Sequence, residues 1–156
     1  MRRKVKSVHV ILPDTKYQSE AVSRFINAIM WDGKKSVARD LVYGAFDEMK
    51  KKDDSLDPLV VFDTAITNVA PTLEVRSRRV GGANYQVPTE VRPARRRLLA
   101  YKWIIDAARS GKGKPMTGKL ASVLMEAAKG EGPAIKKRDD VHRMAESNRA
   151  FAHLAW

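Results

Sequence analysis

The chain has 156 residues, of which 30 are Lys or Arg and 18 are Asp or Glu, so its formal net charge is +12. This length suits one domain with one core, and a hydrophobic fraction of 44% is ordinary for a globular protein. The lack of Cys excludes disulfides and thiolate chemistry and fits a reducing cytosol, and no apolar run is long enough to span a membrane. Such a charge favours a polyanionic partner, although a solvated basic surface would also account for it.

The first elements predicted along the chain are a basic arm and three helices. Residues 1–18 contain a turn but no periodic pattern, and they are predicted to form the arm. Apolar residues at spacings of three and four predict a helix that begins near Ser19 and ends at the Asp32-Gly33 pair. A second helix is predicted over about 36–51, with Val37 on its buried stripe. Asp57 followed by Pro58 predicts the start of a third helix, which Pro71 ends.

The residue pattern changes period after the third helix. Residues 72–91 alternate around Gly81 and Gly82, which predicts a β-hairpin with the two glycines at or near its tip. Three more helices are predicted, over 93–110, 116–129 and 134–150, followed by a short tail. Leu98 is predicted to lie on the buried stripe of the first of these three helices. The predicted fold is therefore mainly α, with a basic N-terminal arm at 1–18 and a single domain of about six helices at 19–156 that includes the protruding hairpin.

The positive charge is unevenly distributed along the chain. The net charge is +4 over residues 1–16, −2 over 17–71 and +6 over 72–102, and seven of the eight cations in 72–102 are Arg. The planar guanidinium pairs bidentately with phosphate, and double-stranded RNA is recognised through its shape, 2′-hydroxyls and phosphates. We therefore predict a protein that binds structured RNA through the hairpin. Arg95, Arg96 and Arg97 lie about 100° apart around a helix, so at most two can face the same RNA surface.

Catalytic and metal-binding patterns are weak in this sequence. Residues 113–119 match the spacing of a phosphate-binding loop up to Lys119, but Leu120 stands where that loop needs Ser or Thr, and Pro115 removes a backbone donor. The three His residues lack metal-ligand spacing. The sequence therefore predicts a non-enzymatic protein with no catalytic residue, no metal site and no cofactor.

Several runs resemble the family of small-subunit ribosomal protein seven. They are EVRSRRVGGANYQVP at 74–88, EVRP at 90–93 with Arg95 and Arg96, FIN at 25–27, DGKKS at 32–36, DVHRMAE at 140–146 and NRAFAH at 148–153. These runs lie in the expected order and are spread over nearly the whole length of the chain. The resemblance implies a helical protein with a protruding hairpin, present as a monomer within the cytoplasmic ribosome.

The resemblance also implies a function and a set of contacts. The protein would be the primary binder of the 3′ major domain of small-subunit rRNA and would start assembly of the subunit head. Its other implied partners are exit-site tRNA and mRNA and the neighbouring head and platform proteins, with no membrane, and repression of its own operon message is a further implied role. The residues implied to bind RNA are Arg2, Arg3, Lys4, Lys6, Lys34, Lys35, Arg76, Arg78, Arg79, Arg92, Arg95 and Arg96, with a weaker set of Lys112, Lys114, Met116, Lys136, Arg138, Arg143 and Arg149. The residues implied to lie at the hairpin tip near the exit site are Gly81, Gly82, Asn84 and Tyr85.

Three alternatives stay open from the sequence. Tyr85 suits either stacking on a base or packing within the ribbon, and Lys34 and Lys35 suit either an external anion or plain solvation of a helix start. The whole chain could instead be a general nucleic-acid architectural protein or a DNA-binding regulator, although no recognition helix with helix-turn-helix spacing is evident.

Overall fold

The elements of the fold follow the order predicted from the sequence. The computed structural model describes residues 11–154, which contain six α-helices, one two-stranded antiparallel sheet and one 3-10 helix. Their bounds are α1 Glu20–Ile29, α2 Lys35–Lys52, α3 Pro58–Val69, β1 Leu73–Val80, β2 Ala83–Glu90, α4 Pro93–Ser110, α5 Met116–Ala128, α6 Pro133–Ser147 and the 3-10 helix Arg149–Leu154. The mainly α class with a hairpin is confirmed.

The chain divides into two compact units, one ending at Asp40 and the other beginning at Leu41. In the first unit, the Oγ of Ser19 accepts a hydrogen bond from the Val22 N–H at 3.4 Å and so caps α1. The buried face of α1 holds the large side chains of Phe25 and Ile26. The helix ends at Ile29, a little before the predicted glycine turn, because Met30 already has extended backbone.

The core of the second unit is built around Phe62 of α3. Its ring lies edge-on to Phe46, with centroids 5.7 Å apart, and is stacked at 6.5 Å on Tyr101 of α4. All three rings are buried. The side-chain amide of Asn68 donates to the carbonyls of Ala127 and Ala128 at 3.1 and 3.0 Å, which fixes α3 to the end of α5. These contacts provide the rigid support from which the hairpin extends.

Three details of the predicted helices were wrong. The stripe assigned to α2 included Val37, which is 60% exposed, whereas Ala38 and Val42 are buried. Leu98 was placed on the buried stripe of α4 but is 64% exposed. The final helix ends at Ser147 rather than at 150, and the residues after it form the 3-10 helix instead of a tail.

Candidate nucleic-acid interface

The hairpin turns through two glycines, as predicted. Val80 pairs with Ala83, so Gly81 and Gly82 alone form the loop. Their φ angles are 57° and 88°, in the left-handed region that favours glycine, as the two central positions of a type I′ turn require. The result is a narrow tip without bulky side chains.

The hairpin arginines lie on two faces of the ribbon. Side chains alternate along a strand, and directly paired residues share a face. Arg78 pairs with Tyr85, and Arg79 pairs with Asn84. Arg76 and Arg78 therefore share one face, while Arg79 lies on the other. The sequence grouped these three arginines as one set of phosphate contacts, but the strand geometry divides them.

The face that carries Arg78 is covered by the C-terminal 3-10 helix. The ring of Tyr85 packs on Phe151, with centroids 5.2 Å apart and planes at 53°. The Arg78 guanidinium donates a hydrogen bond to the carbonyl of Leu154. Of the two roles left open for Tyr85, packing is the one seen in this fold. The segment expected to be a tail supports the hairpin from one side.

The opposite face of the outer hairpin is polar and exposed. Ser77, Arg79, Asn84 and Gln86 lie on it, and all four are exposed. The side chain of Arg79 makes no hydrogen bond or ion pair with another of the described residues. Its guanidinium therefore keeps all of its donors for an external acceptor. This face combines a cation with amide and hydroxyl groups, the donor types that contact phosphate and ribose oxygens.

A buried carboxylate lies at the base of the hairpin. The side chain of Glu74 is 10% exposed, and it forms ion pairs with Arg76 and with Arg95 of α4. The Nε–H of Arg76 donates to Oε1 at 2.6 Å, and the Nε–H of Arg95 donates to Oε2 at 2.7 Å. Burial raises the pKa of Glu74, but the hydrogen bonds and charges of the two arginines outweigh it and hold the pKa below its ordinary value. Glu74 was not among the predicted site residues, although its isolation among cations was a usable signal.

The first turn of α4 carries cations where a helix usually prefers acids. Arg92 is the N-cap residue, and its side chain makes no capping hydrogen bond. Arg95 contacts Glu74, Arg96 donates from Nε to the Pro71 carbonyl at 3.0 Å, and Arg97 is exposed. The three consecutive arginines thus point to different surroundings, as the helical spacing predicted. Because the helix dipole disfavours cations at this end, an external anion would relieve the repulsion.

A histidine joins α6 to the start of the hairpin. Nε2 of His142 accepts a hydrogen bond from the Thr72 N–H at 3.1 Å, which requires the neutral ring. Burial and the nearby charges of Arg138 and Arg96 lower the pKa of His142, and Asp139 acts in the opposite direction. No local pattern in the sequence indicates this contact between His142 and Thr72.

The first unit contains a cavity near the start of α2 with a mixed lining, in which Asp14 and apolar residues lie beside the cations. The cavity has a volume of about 380 Å³, and its lining includes Asn27, Lys35 and Arg39. Within the described part of the chain, Nε of Arg39 is buried and has no hydrogen-bond partner. A buried, unsatisfied guanidinium N–H is costly, so this site favours an acceptor from outside the chain. Arg39 was missed because a single Arg within a helix carries no pattern.

The weaker predicted set consists of residues in different surroundings. Arg138 donates to the Asn68 carbonyl and to Asp139, so it has a structural role. Arg143 and Arg149 are exposed and pair with carboxylates at 3.8 and 3.4 Å. The other members of the set are Lys112, Lys114 and Lys136, which are exposed, and Met116, which is half-buried. Arg2, Arg3, Lys4 and Lys6 lie outside the described residues.

Within residues 11–154, no group of His, Asp or Glu side chains has a geometry that could hold a metal ion. The same part of the chain contains no helix that is long and apolar enough to cross a membrane.

Sequence comparison finds relatives over nearly the whole chain. A profile of the family described as ribosomal protein S7p/S5e matches residues 1–149. Proteins named small ribosomal subunit protein uS7 from Francisella tularensis subsp. holarctica (strain OSU18), Francisella philomiragia subsp. philomiragia and Francisella tularensis subsp. novicida (strain U112) are each 56% identical to this chain over 146 residues. Each of these alignments covers 94% of this chain and 93% of the relative. The matched region includes the hairpin, the arginine-rich turn of α4 and the final α-helix.

Proposed function

Because the chain belongs to the ribosomal protein S7p/S5e family, as its motifs predicted, we propose that it is a structural component of the small ribosomal subunit. In this role it binds the 3′ major domain of the small-subunit rRNA directly and starts assembly of the head. Neighbouring head and platform proteins then dock beside it. It works as a single copy within the cytoplasmic ribosome.

The observation that carries this proposal is the concentration of arginine at the hairpin and the start of α4. Residues 72–102 have a net charge of +6, and the unit around them supplies a rigid helical support. Charge of this density attracts the RNA backbone, and release of condensed counterions then contributes to affinity. The sparse aromatic content, together with the packing of Tyr85, favours recognition of RNA shape over stacking on splayed bases.

The polar face of the outer hairpin is the part best suited to phosphate and ribose contacts. Arg79 provides a guanidinium whose donors have no partner among residues 11–154, and Asn84 adds an amide on the same face. The glycine tip is narrow enough to enter a groove or a junction. The hairpin extending beyond the primary rRNA site would lie near exit-site tRNA and mRNA.

The first unit offers a second contact. Lys34 and Lys35 are exposed at the start of α2, where cations oppose the helix dipole, and the buried Nε of Arg39 lacks an acceptor. A phosphate oxygen in the adjacent cavity would supply that acceptor and pair with Lys35, which lines the cavity. This favours the external-anion explanation for these residues over plain solvation.

Repression of the protein's own operon message would use the same surface. A message that imitates the rRNA site would compete for the hairpin and the arginine-rich turn of α4. Repression would therefore occur only when the protein exceeds its rRNA, and free rRNA fragment would relieve it.

Stepwise reconstitution tests the proposed role. The small-subunit rRNA is incubated with the other head proteins in the presence or absence of this chain, and the bound proteins are measured after sedimentation. The proposal predicts that the head proteins bind poorly until this chain is added. Full binding of the head proteins without it would contradict a role at the start of head assembly.

Competition with duplex DNA distinguishes the proposed function from the alternative that the chain is a general architectural protein or a DNA-binding regulator. A general architectural protein or a DNA-binding regulator would release the RNA when duplex DNA of equal length is added in modest excess. The proposed rRNA binder would retain its RNA under the same conditions.

A further inference from the structure

One acidic residue lies among the cations at the base of the hairpin. Segment 72–102 contains eight Lys or Arg and two acids, and one of the acids, Glu74, is buried. We propose that Glu74 is a positioning residue of the RNA interface, because its carboxylate holds Arg76 and Arg95 in the orientation in which both bind phosphate. This inference rests on the proposed function. It assigns an essential role in binding a polyanion to a residue that carries the same charge sign as the polyanion.

The geometry leaves both arginines available to RNA. Each carboxylate oxygen of Glu74 accepts a hydrogen bond from the Nε–H of a different arginine, at 2.6 Å from Arg76 and 2.7 Å from Arg95. A guanidinium has five N–H donors. Nη2 of Arg76 also contacts Oε1 of Glu74, so about three donors of Arg76 and four of Arg95 remain for an external acceptor. The side chains of Arg76 and Arg95 are 60% and 52% exposed, whereas that of Glu74 is 10% exposed. The acid is thus covered, and the cations are presented side by side at the surface.

The arginines come from different elements. Arg76 lies on β1 and Arg95 lies in the first turn of α4, so Glu74 links the ribbon to the helix. Two like charges held close together repel each other, and a shared carboxylate offsets that repulsion. The Thr89 hydroxyl, at 3.5 Å from the Glu74 carbonyl, and the Arg96 contact with the Pro71 carbonyl tie the same corner together.

Preorganisation explains why this arrangement favours binding. An Arg side chain that is disordered in the free protein must be immobilised when it binds, which lowers affinity. Here the ordering occurs during folding, so less conformational entropy is lost when RNA binds. The remaining charge of the trio is positive, and long-range attraction of RNA is retained.

The test compares two Glu→Gln variants that remove the same charge from the two strands of the hairpin. Glu74→Gln removes the buried carboxylate, and Glu90→Gln removes an exposed one that lies two residues beyond Pro88 on β2. Binding of both variants to a transcribed fragment of the 3′ major domain of small-subunit rRNA is measured at fixed salt. Folding is checked by circular dichroism and thermal unfolding. We expect Glu90→Gln to bind as well as the wild type or slightly better, because an acid near the RNA is lost. We expect Glu74→Gln to bind roughly tenfold more weakly, the loss that corresponds to one or two newly mobile side chains.

A second background separates positioning from general stability. In the Arg76→Ala/Arg95→Ala protein, Glu74 has no guanidinium left to hold. A positioning role predicts that adding Glu74→Gln to this background no longer weakens RNA binding. A loss of affinity that is equally large in both backgrounds would overturn the proposal and assign Glu74 to hairpin stability alone.

A conservative variant keeps the test valid if Glu74→Gln does not fold. Glu74→Asp retains the charge but withdraws the carboxylate by one methylene, so weaker binding at unchanged net charge supports positioning. Binding equal to wild type by Glu74→Asp would overturn it.

If the wild type itself does not prefer the rRNA fragment to an unrelated RNA, the proposed function fails first. If the wild type is selective and Glu74→Gln matches Glu90→Gln, only the inference about Glu74 fails.

Discussion

Replacement of Arg79 by Ala gives the clearest separation between RNA binding and folding. Arg79 is exposed on the polar face of the hairpin, and its side chain makes no hydrogen bond or ion pair with another of the described residues. Its loss should therefore change the free energy of unfolding by no more than about 0.5 kcal/mol, as for other surface substitutions. For a protein of this size that change corresponds to about 2 °C or less in Tm.

The same substitution should weaken RNA binding measurably. If Arg79 neutralises one phosphate, the slope of log K against log salt should fall in magnitude by about 0.7–0.9, and the lost charged hydrogen bond should raise Kd roughly tenfold. Lys51→Ala is the control, because Lys51 is 72% exposed, has Glu48 as its ion-pair partner among the described residues and is not one of the residues predicted to bind RNA. Filter binding over a salt series measures both quantities for the two variants.

Either of two results would refute this assignment of Arg79. An unchanged salt slope with unchanged Kd would show that the polar face of the hairpin does not touch the RNA. A large drop in Tm for Arg79→Ala would show that the side chain stabilises the fold, contrary to its lack of internal contacts.

Three further predictions concern stability. Phe62→Ala should lower the free energy of unfolding by about 3–5 kcal/mol in urea titration, because Phe62 is fully buried between two other rings; a loss below about 1 kcal/mol would contradict the central position of this ring. The pKa of Glu74 is held below its ordinary value of 4.5, so its carboxylate stabilises the fold above that pH, and this contribution is lost as pH falls through the lowered pKa. Glu74→Gln should therefore lose less stability on acidification than the wild type. Equal losses in the two proteins would refute the assignment. The pKa of His142 is lowered from 6.5, so the unfolded chain takes up a proton first and the free energy of unfolding decreases as pH falls below that value. His142→Gln keeps an acceptor but cannot titrate, so its stability should depend less on pH in this range. A pH dependence identical to that of the wild type would show that another group is responsible.

The order of the helices and strands was predicted well, because each start or end is marked by residues that are adjacent in the sequence. Asp57 followed by Pro58 marks the start of α3, and the Gly81-Gly82 pair marks the hairpin turn, since few other residues accept two positive φ angles. Burial of individual side chains was predicted less well. Val37 and Leu98 are apolar residues near helix starts, and local spacing alone does not tell which of them meets the core. The division of the chain into an arm of 1–18 and a domain of 19–156 stays a prediction.

The candidate site was predicted by charge but not by contact. Counting cations identified the hairpin and the start of α4, and strand alternation alone could have separated Arg79 from Arg78. The role of Glu74 depends on the contact between β1 and α4. The packing of Tyr85 depends on the 3-10 helix at residues 149–154, which the sequence did not predict. Such long-range contacts have no local pattern. The sequence therefore does not distinguish the arginines that have partners inside the protein from those that do not.

The most direct test of rRNA recognition is binding of the purified chain to a transcribed 3′ major domain fragment and to an unrelated structured RNA of equal length. Both titrations are performed over the same salt series, so that general electrostatic attraction is measured alongside selectivity. We predict tight binding to the fragment that persists at physiological salt, while binding to the unrelated RNA is lost. Equally weak and equally salt-sensitive binding to both RNAs would contradict a role as a primary rRNA binder.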